Sequence, residues 1–160
     1  MSVIDTLITD RTQADVDEIK QMMRKGKANA TAAEMQKLRK SQKGSYNASD
    51  LNRVIEAVQY IAERLRTECG YEVELQEIKS DWDYVDIPTP KTLNIYLLNC
   101  ETVRAILKLP DGTPTVPPDM ENFTWSEAND IEKILVVVNT LIDNIAGAWF
   151  YSGDLYAGEV

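Results

Sequence analysis

Between Ala128 and Trp149 the chain sets apolar residues at Ala128, Ile131, Ile134, Leu135, Val138, Leu141, Ile142, Ile145 and Trp149. This is the three-and-four spacing of a long helix with one apolar stripe, and such a stripe needs another element to cover it. Two further stretches repeat the pattern. One carries Leu51, Val54, Ile55, Val58, Ile61, Ala62 and Leu65; the other carries Leu93, Tyr96, Leu97, Cys100, Val103, Ala105, Ile106 and Leu107. Each has a start signal. Asn47 or Ser49 supplies a polar cap to the first. Thr89-Pro90 opens the second with a hydroxyl cap and a proline at the first helical position. Thr124 and Glu127 form a capping box before the last helix, with Phe123 placed as a hydrophobic staple.

Two weaker helices precede these. Thr12 and Asp15 make a capping-box-like start, so a helix is predicted from Gln13 to Lys25, stopping at Gly26. Its stripe of Ala14, Val16, Ile19, Met22 and Met23 is thin. Thr31 and Glu34 start a short helix to about Lys40. Met35 and Leu38 are its only strong apolar residues, which places it at the edge of the fold. Residues 1–10 read as an extended arm or short strand. Tyr71 to Ile78 alternates apolar and polar residues like a strand, with the phase broken between Leu75 and Ile78. That strand needs a partner, from the arm or from a neighbouring chain. Pro110, Pro114, Pro117 and Pro118 stiffen the loop before the last helix. The expected fold is mostly α: a bundle of about five helices, a minor β element near residues 71–78 and an extended C-terminal tail. With 160 residues and no long linker, it reads as a single domain over 1–160. Residues 1–10 form the arm, 12–149 the helical core and 150–160 an aromatic tail.

The residue inventory limits the chemistry. The chain has no histidine, which removes the commonest general base and metal ligand together. Its two cysteines, Cys69 and Cys100, read as reduced, buried and without an activating partner. No Gly-rich phosphate loop, CxxC or HExxH is present. A net charge of −9 disfavours a nucleic-acid partner. The basic stretch Arg24, Lys25, Lys27, Lys37, Arg39, Lys40 and Lys43 reads as a solvated helix face. No apolar run is long enough to span a membrane, and the first residues lack the pattern of a signal peptide. No catalytic residue, metal site or cofactor is therefore assigned.

Binding is better represented. Asp81, Asp83 and Asp86 surround Trp82 and Tyr84, but lack the mid-loop glycine and terminal glutamate of an EF-hand loop, so capping and turn formation are favoured over a metal. Trp82, Tyr84 and Trp125 are candidate contacts for a carbohydrate or receptor ligand. After the last core helix come Trp149, Phe150, Tyr151, Leu155 and Tyr156, a greasy end for an acidic chain. Such residues either fold back over their own domain or anchor an interface with another subunit.

Four stretches carry a resemblance: Asp10-Arg11-Thr12-Gln13-Ala14-Asp15-Val16; Gly44 through Val54; Asp81-Trp82 with Asp86-Ile87-Pro88-Thr89; and Ala148 through Tyr156. In this order the chain resembles an uncharacterised family of small virion proteins, encoded among the tail, baseplate and fibre genes of phages and prophages of Gram-positive bacteria. The resemblance spans nearly the whole chain and brings no catalytic residues with it. It implies a structural component of a phage tail or tail-like particle, made in the host cytoplasm. Other virion proteins and further copies of the chain would be its partners, and it would assemble through its termini. The alternative is a receptor- or carbohydrate-binding module of the tail tip.

Overall fold

The computed structural model describes residues 2–26, 28–39 and 43–153, with 39 and 149–153 described as helix backbone only. Five α-helices are present among the described residues: α1 (Gln13–Lys25), α2 (Ala32–Arg39), α3 (Ala48–Thr67), α4 (Pro90–Ile106) and α5 (Trp125–Gly153). A 3-10 turn over Val3–Thr6 precedes them, capped by Ser2. Most start signals act as the sequence suggests. Thr12 and Asp15, and Thr124 and Glu127, bond reciprocally at the heads of α1 and α5. At α3 the cap is Asn47, whose backbone N–H donates back to Asp50 Oδ2 at 2.9 Å.

The core is a three-helix arrangement in which α3, α4 and α5 each pack on the other two. Val54, Ile61 and Leu65 of α3, Val103 of α4, and Ile131, Ile134, Leu135, Val138 and Ile142 of α5 are all sealed from solvent. Burying a side chain of this size contributes about 1.5–3 kcal/mol each. α1 and α2 pack against each other at the periphery, and no described residue of α2 is fully buried. Lys25 and Lys37 pair with Glu34 and Glu18 across that seam, so much of the basic stretch is spent on local ion pairs.

The minor β element is absent among the described residues. Residues 71–78 are extended, and Val73 is buried while Leu75 and Ile78 pack on the core, as the alternation suggests. What is missing is a partner strand. Asn99 of α4 takes its place: the Gln76 N–H donates to Asn99 Oδ1 at 2.8 Å, and Asn99 Nδ2 donates to the Gln76 carbonyl at 2.9 Å. One amide side chain thus supplies the donor and acceptor that a strand would offer one residue.

The same device recurs twice. Asn129 of α5 clamps the backbone of Arg11 at 3.0 and 2.9 Å. Asn52 of α3 clamps the backbone of Trp82 at 2.8 and 2.9 Å. Each core helix therefore holds one non-helical segment by a two-point amide clamp. Loss of a clamp strands backbone groups, so Asn52→Ala is expected to cost about 1–3 kcal/mol. Amide hydrogen exchange should show faster exchange at Trp82 with the three core helices still protected.

The N-terminal arm is not a strand: it holds the 3-10 turn and lies against the core. Val3, Ile4 and Leu7 pack on the core, and the Ile8 N–H donates to Glu132 Oε2 at 2.5 Å. Arg11 then enters a buried charge network. One of its terminal nitrogens lies 3.0 Å from Asp50 Oδ1 and 2.6 Å from Glu132 Oε1. Arg53 closes the network at 2.5 Å from Asp50 and 3.0 Å from Glu132. Burial by itself would weaken the charge on Arg53. Hydrogen bonds and charge from Glu132, then Asp50, outweigh it and hold the guanidinium ionised.

Candidate interaction surfaces

The loop from Lys79 to Pro88 is the most distinctive surface. Trp82 is half-buried against the core, with its main chain in the Asn52 clamp. Its indole N–H donates to the Lys79 carbonyl at 2.7 Å, and the Lys79 ammonium lies 5.7 Å from the ring centroid. Asp86 accepts from the Asp83 N–H at 2.8 Å and pairs with Lys79 at 3.0 Å. Those two contacts hold the Asp86 carboxyl below its usual pKa, the backbone bond contributing most. Asp81 also approaches Lys79, at 3.6 Å, and Asp83 accepts from the Tyr84 N–H at 2.7 Å. The three aspartates thus organise a turn around a lysine from this chain.

On this pinned frame sit Tyr84, Val85 and Ile87, exposed at 80%, 67% and 88%. Three large apolar side chains on one short segment, held out by a loop that is itself tied down, are the makings of a contact surface. The sequence reading singled out Trp82 and Tyr84 but missed Val85, Ile87 and the anchoring role of Asn52. The signal available was the absence of any apolar periodicity that would bury residues 84–87.

The three candidate ligand contacts do not form one site. Trp82 and Tyr84 border a cleft of about 240 Å³ with Asn47, Ser49 and Asn52. Its amide groups are already engaged: Asn47 and Ser49 bond each other at the head of α3, and Asn52 holds Trp82. Trp125 lines a different cleft, at the head of α5, and its indole N–H donates to Gln13 Oε1 at 3.2 Å.

The acid and thiol groups are similarly committed. Asp50 and Glu132, the two buried carboxylates among the described residues, face two guanidiniums and backbone N–H groups. Cys69 and Cys100 are free and buried, and burial pushes the Cys100 thiol up to about 12, so it stays neutral. Among the described residues no group of three or more acids or cysteines is placed to hold a metal ion, and no helix is long and apolar enough to cross a membrane.

α5 runs on to Gly153, so residues 150–153, expected in the extended tail, are helical. Its 29 residues span about 43 Å, against about 30 Å for the 20 residues of α3. The last described side chain packed on the core is Ile145. The helix then continues two turns farther, through the positions of Trp149, Phe150 and Tyr151. Leu155 and Tyr156 lie outside the described residues. No protein-family model matches this chain, and neither a curated protein nor a solved structure is found to be similar to it.

Proposed function

We propose that this chain is a structural component of a phage tail or tail-like particle, working by protein–protein assembly and not by catalysis. The observation that carries the assembly role is the anchored loop that holds Tyr84, Val85 and Ile87 in solvent. An isolated domain gains nothing from ordering greasy side chains outward; a subunit gains a preformed contact whose ordering cost is already met within its own fold. The helix end at Trp149–Tyr151 and the residues after it form a second contact. The setting in a tail particle rests on the sequence resemblance. The buried acids give no support to an enzymatic reading, since two arginines and backbone donors occupy them.

The test uses tail particles purified from the host that encodes the chain. Mass spectrometry should find the chain in fixed stoichiometry with tail proteins. A variant carrying Tyr84→Ser, Val85→Ser and Ile87→Ser should keep its helical circular dichroism and drop out of the particles. Particles that lack the wild-type chain, or that take up the variant normally, would sink the proposal.

The alternative of a carbohydrate-binding tip module draws on Trp82 and Tyr84 sharing a cleft. Against it, the cleft's amide groups are engaged and Lys79 sits over the Trp82 ring. A tryptophan fluorescence change on adding cell-wall polysaccharide, lost in Tyr84→Ser, would favour this alternative.

A further inference from the structure

The cleft at the head of α5 has a volume of about 330 Å³ and lies between the start of α1, the turn at 43–46 and residues 123–128. Among the described residues its charged lining is Arg11, already paired with Asp50 and Glu132, with Lys20 and Lys43, and includes no carboxylate, on a chain with 26 acids and 17 bases. Its aromatic lining residues are Tyr46, Phe123 and Trp125. Tyr46 and Phe123 meet edge to face at 5.0 Å between ring centroids, and the Arg11 guanidinium lies 5.5 Å from the Tyr46 ring centroid. Lys20 is exposed and has no ion-pair partner among the described residues. Lys43 pairs with Asp10, at 2.6 Å, in an exposed pair of the kind worth about 0–1 kcal/mol and easily exchanged. The Arg11 Nε–H is the one buried side-chain polar atom among the described residues without a hydrogen-bond partner.

Such a cleft suits a short peptide that offers an aromatic or aliphatic side chain between acids. Residues 154–160 read Asp-Leu-Tyr-Ala-Gly-Glu-Val, with Leu155 and Tyr156 between Asp154 and Glu159. They cannot reach the cleft of their own chain. Trp125 and Gly153, the ends of α5, are about 42 Å apart along a straight helix. Seven extended residues span at most about 25 Å. We propose that this cleft receives residues 154–160 of a second copy of the chain. The contact is head-to-tail, so it propagates into a ring or a filament. It rests on the assembly reading above and names one of its partners, a second copy.

Charge exchange tests it in the full chain. One variant carries Lys20→Glu and Lys43→Glu; the other carries Asp154→Lys and Glu159→Lys. Sedimentation velocity at low salt should show the wild type self-associating, and each variant alone weakened by at least about tenfold. Mixing the two variants should restore association, because each tail then meets a cleft of opposite charge. Circular dichroism checks that both remain helical, as expected for changes at exposed lysines and beyond the core. A wild type that stays monomeric, variants that associate like wild type, or a mixture that does not recover would each overturn the inference. The assembly reading fails separately, in the particle experiment.

Discussion

Replacing Glu132 with alanine is expected to lower the melting temperature by roughly 6–20 °C, from a loss of about 3–5 kcal/mol. Glu132 is wholly buried and accepts from Arg11, Arg53 and the Ile8 N–H. Its removal leaves two guanidiniums to share Asp50 in a site largely closed to water, and leaves a backbone donor unpaired. A buried ion pair need not outdo an apolar packing of the same volume, but breaking one side of it is costly. The change also detaches the N-terminal arm, whose order depends on the Glu132 contacts and the Asn129 clamp. Thermal denaturation gives the size of the effect. A double-mutant cycle with Arg11→Met should show strong coupling, and additive losses would mean the network is not a unit.

The second large effect is expected at Gly44. A Cβ there would lie 1.9 Å from the Asp15 carbonyl oxygen, 2.4 Å from its carbon and 2.7 Å from Ile19 Cγ1. The first two belong to the backbone of α1 and cannot rotate away. Gly44→Ala should therefore cost as much as the upper end of the roughly 1–3 kcal/mol seen for overpacking, or more. The turn at 43–46 must lift from α1, and the cleft that Gly44 and Tyr46 line opens with it. Chemical denaturation should show the loss, and self-association should weaken in parallel. A Gly44→Ala protein with unchanged midpoint would mean that the turn and α1 have room to separate.

These two sites were legible in the sequence to different degrees. Glu132 falls four residues after Ala128 and three before Leu135, on the apolar stripe of α5, and an acid at such a position signals a buried partner. Asp50, four residues before Val54 on the stripe of α3, is a similar case. Neither signal identifies Arg11, which is remote in the chain. Gly44 carries no signal beyond its place in a turn, because its constraint is the distance to a helix 25 to 29 residues upstream. The anchored loop was half legible. Its aromatics and acids stood out, but the Asn52 clamp that makes Tyr84, Val85 and Ile87 a rigid display did not.

What the sequence determined by itself is local: where the helices begin, because caps and backbone donors lie within three residues, and which faces are buried, because apolar spacing follows the helical turn. Only the tertiary structure decided what the non-helical segments do. Residues 71–78 have a strand's alternation, yet a strand requires a partner, and Asn99 satisfies Gln76 from a helix instead. Residues 1–10 read as an extended arm or a short strand, yet Glu132 holds Ile8 and Asn129 holds Arg11 just beyond it, from a helix in the core. Hydrogen bonds and ion pairs between residues up to 124 positions apart leave no periodicity in the chain, since their geometry exists only once the helices have packed.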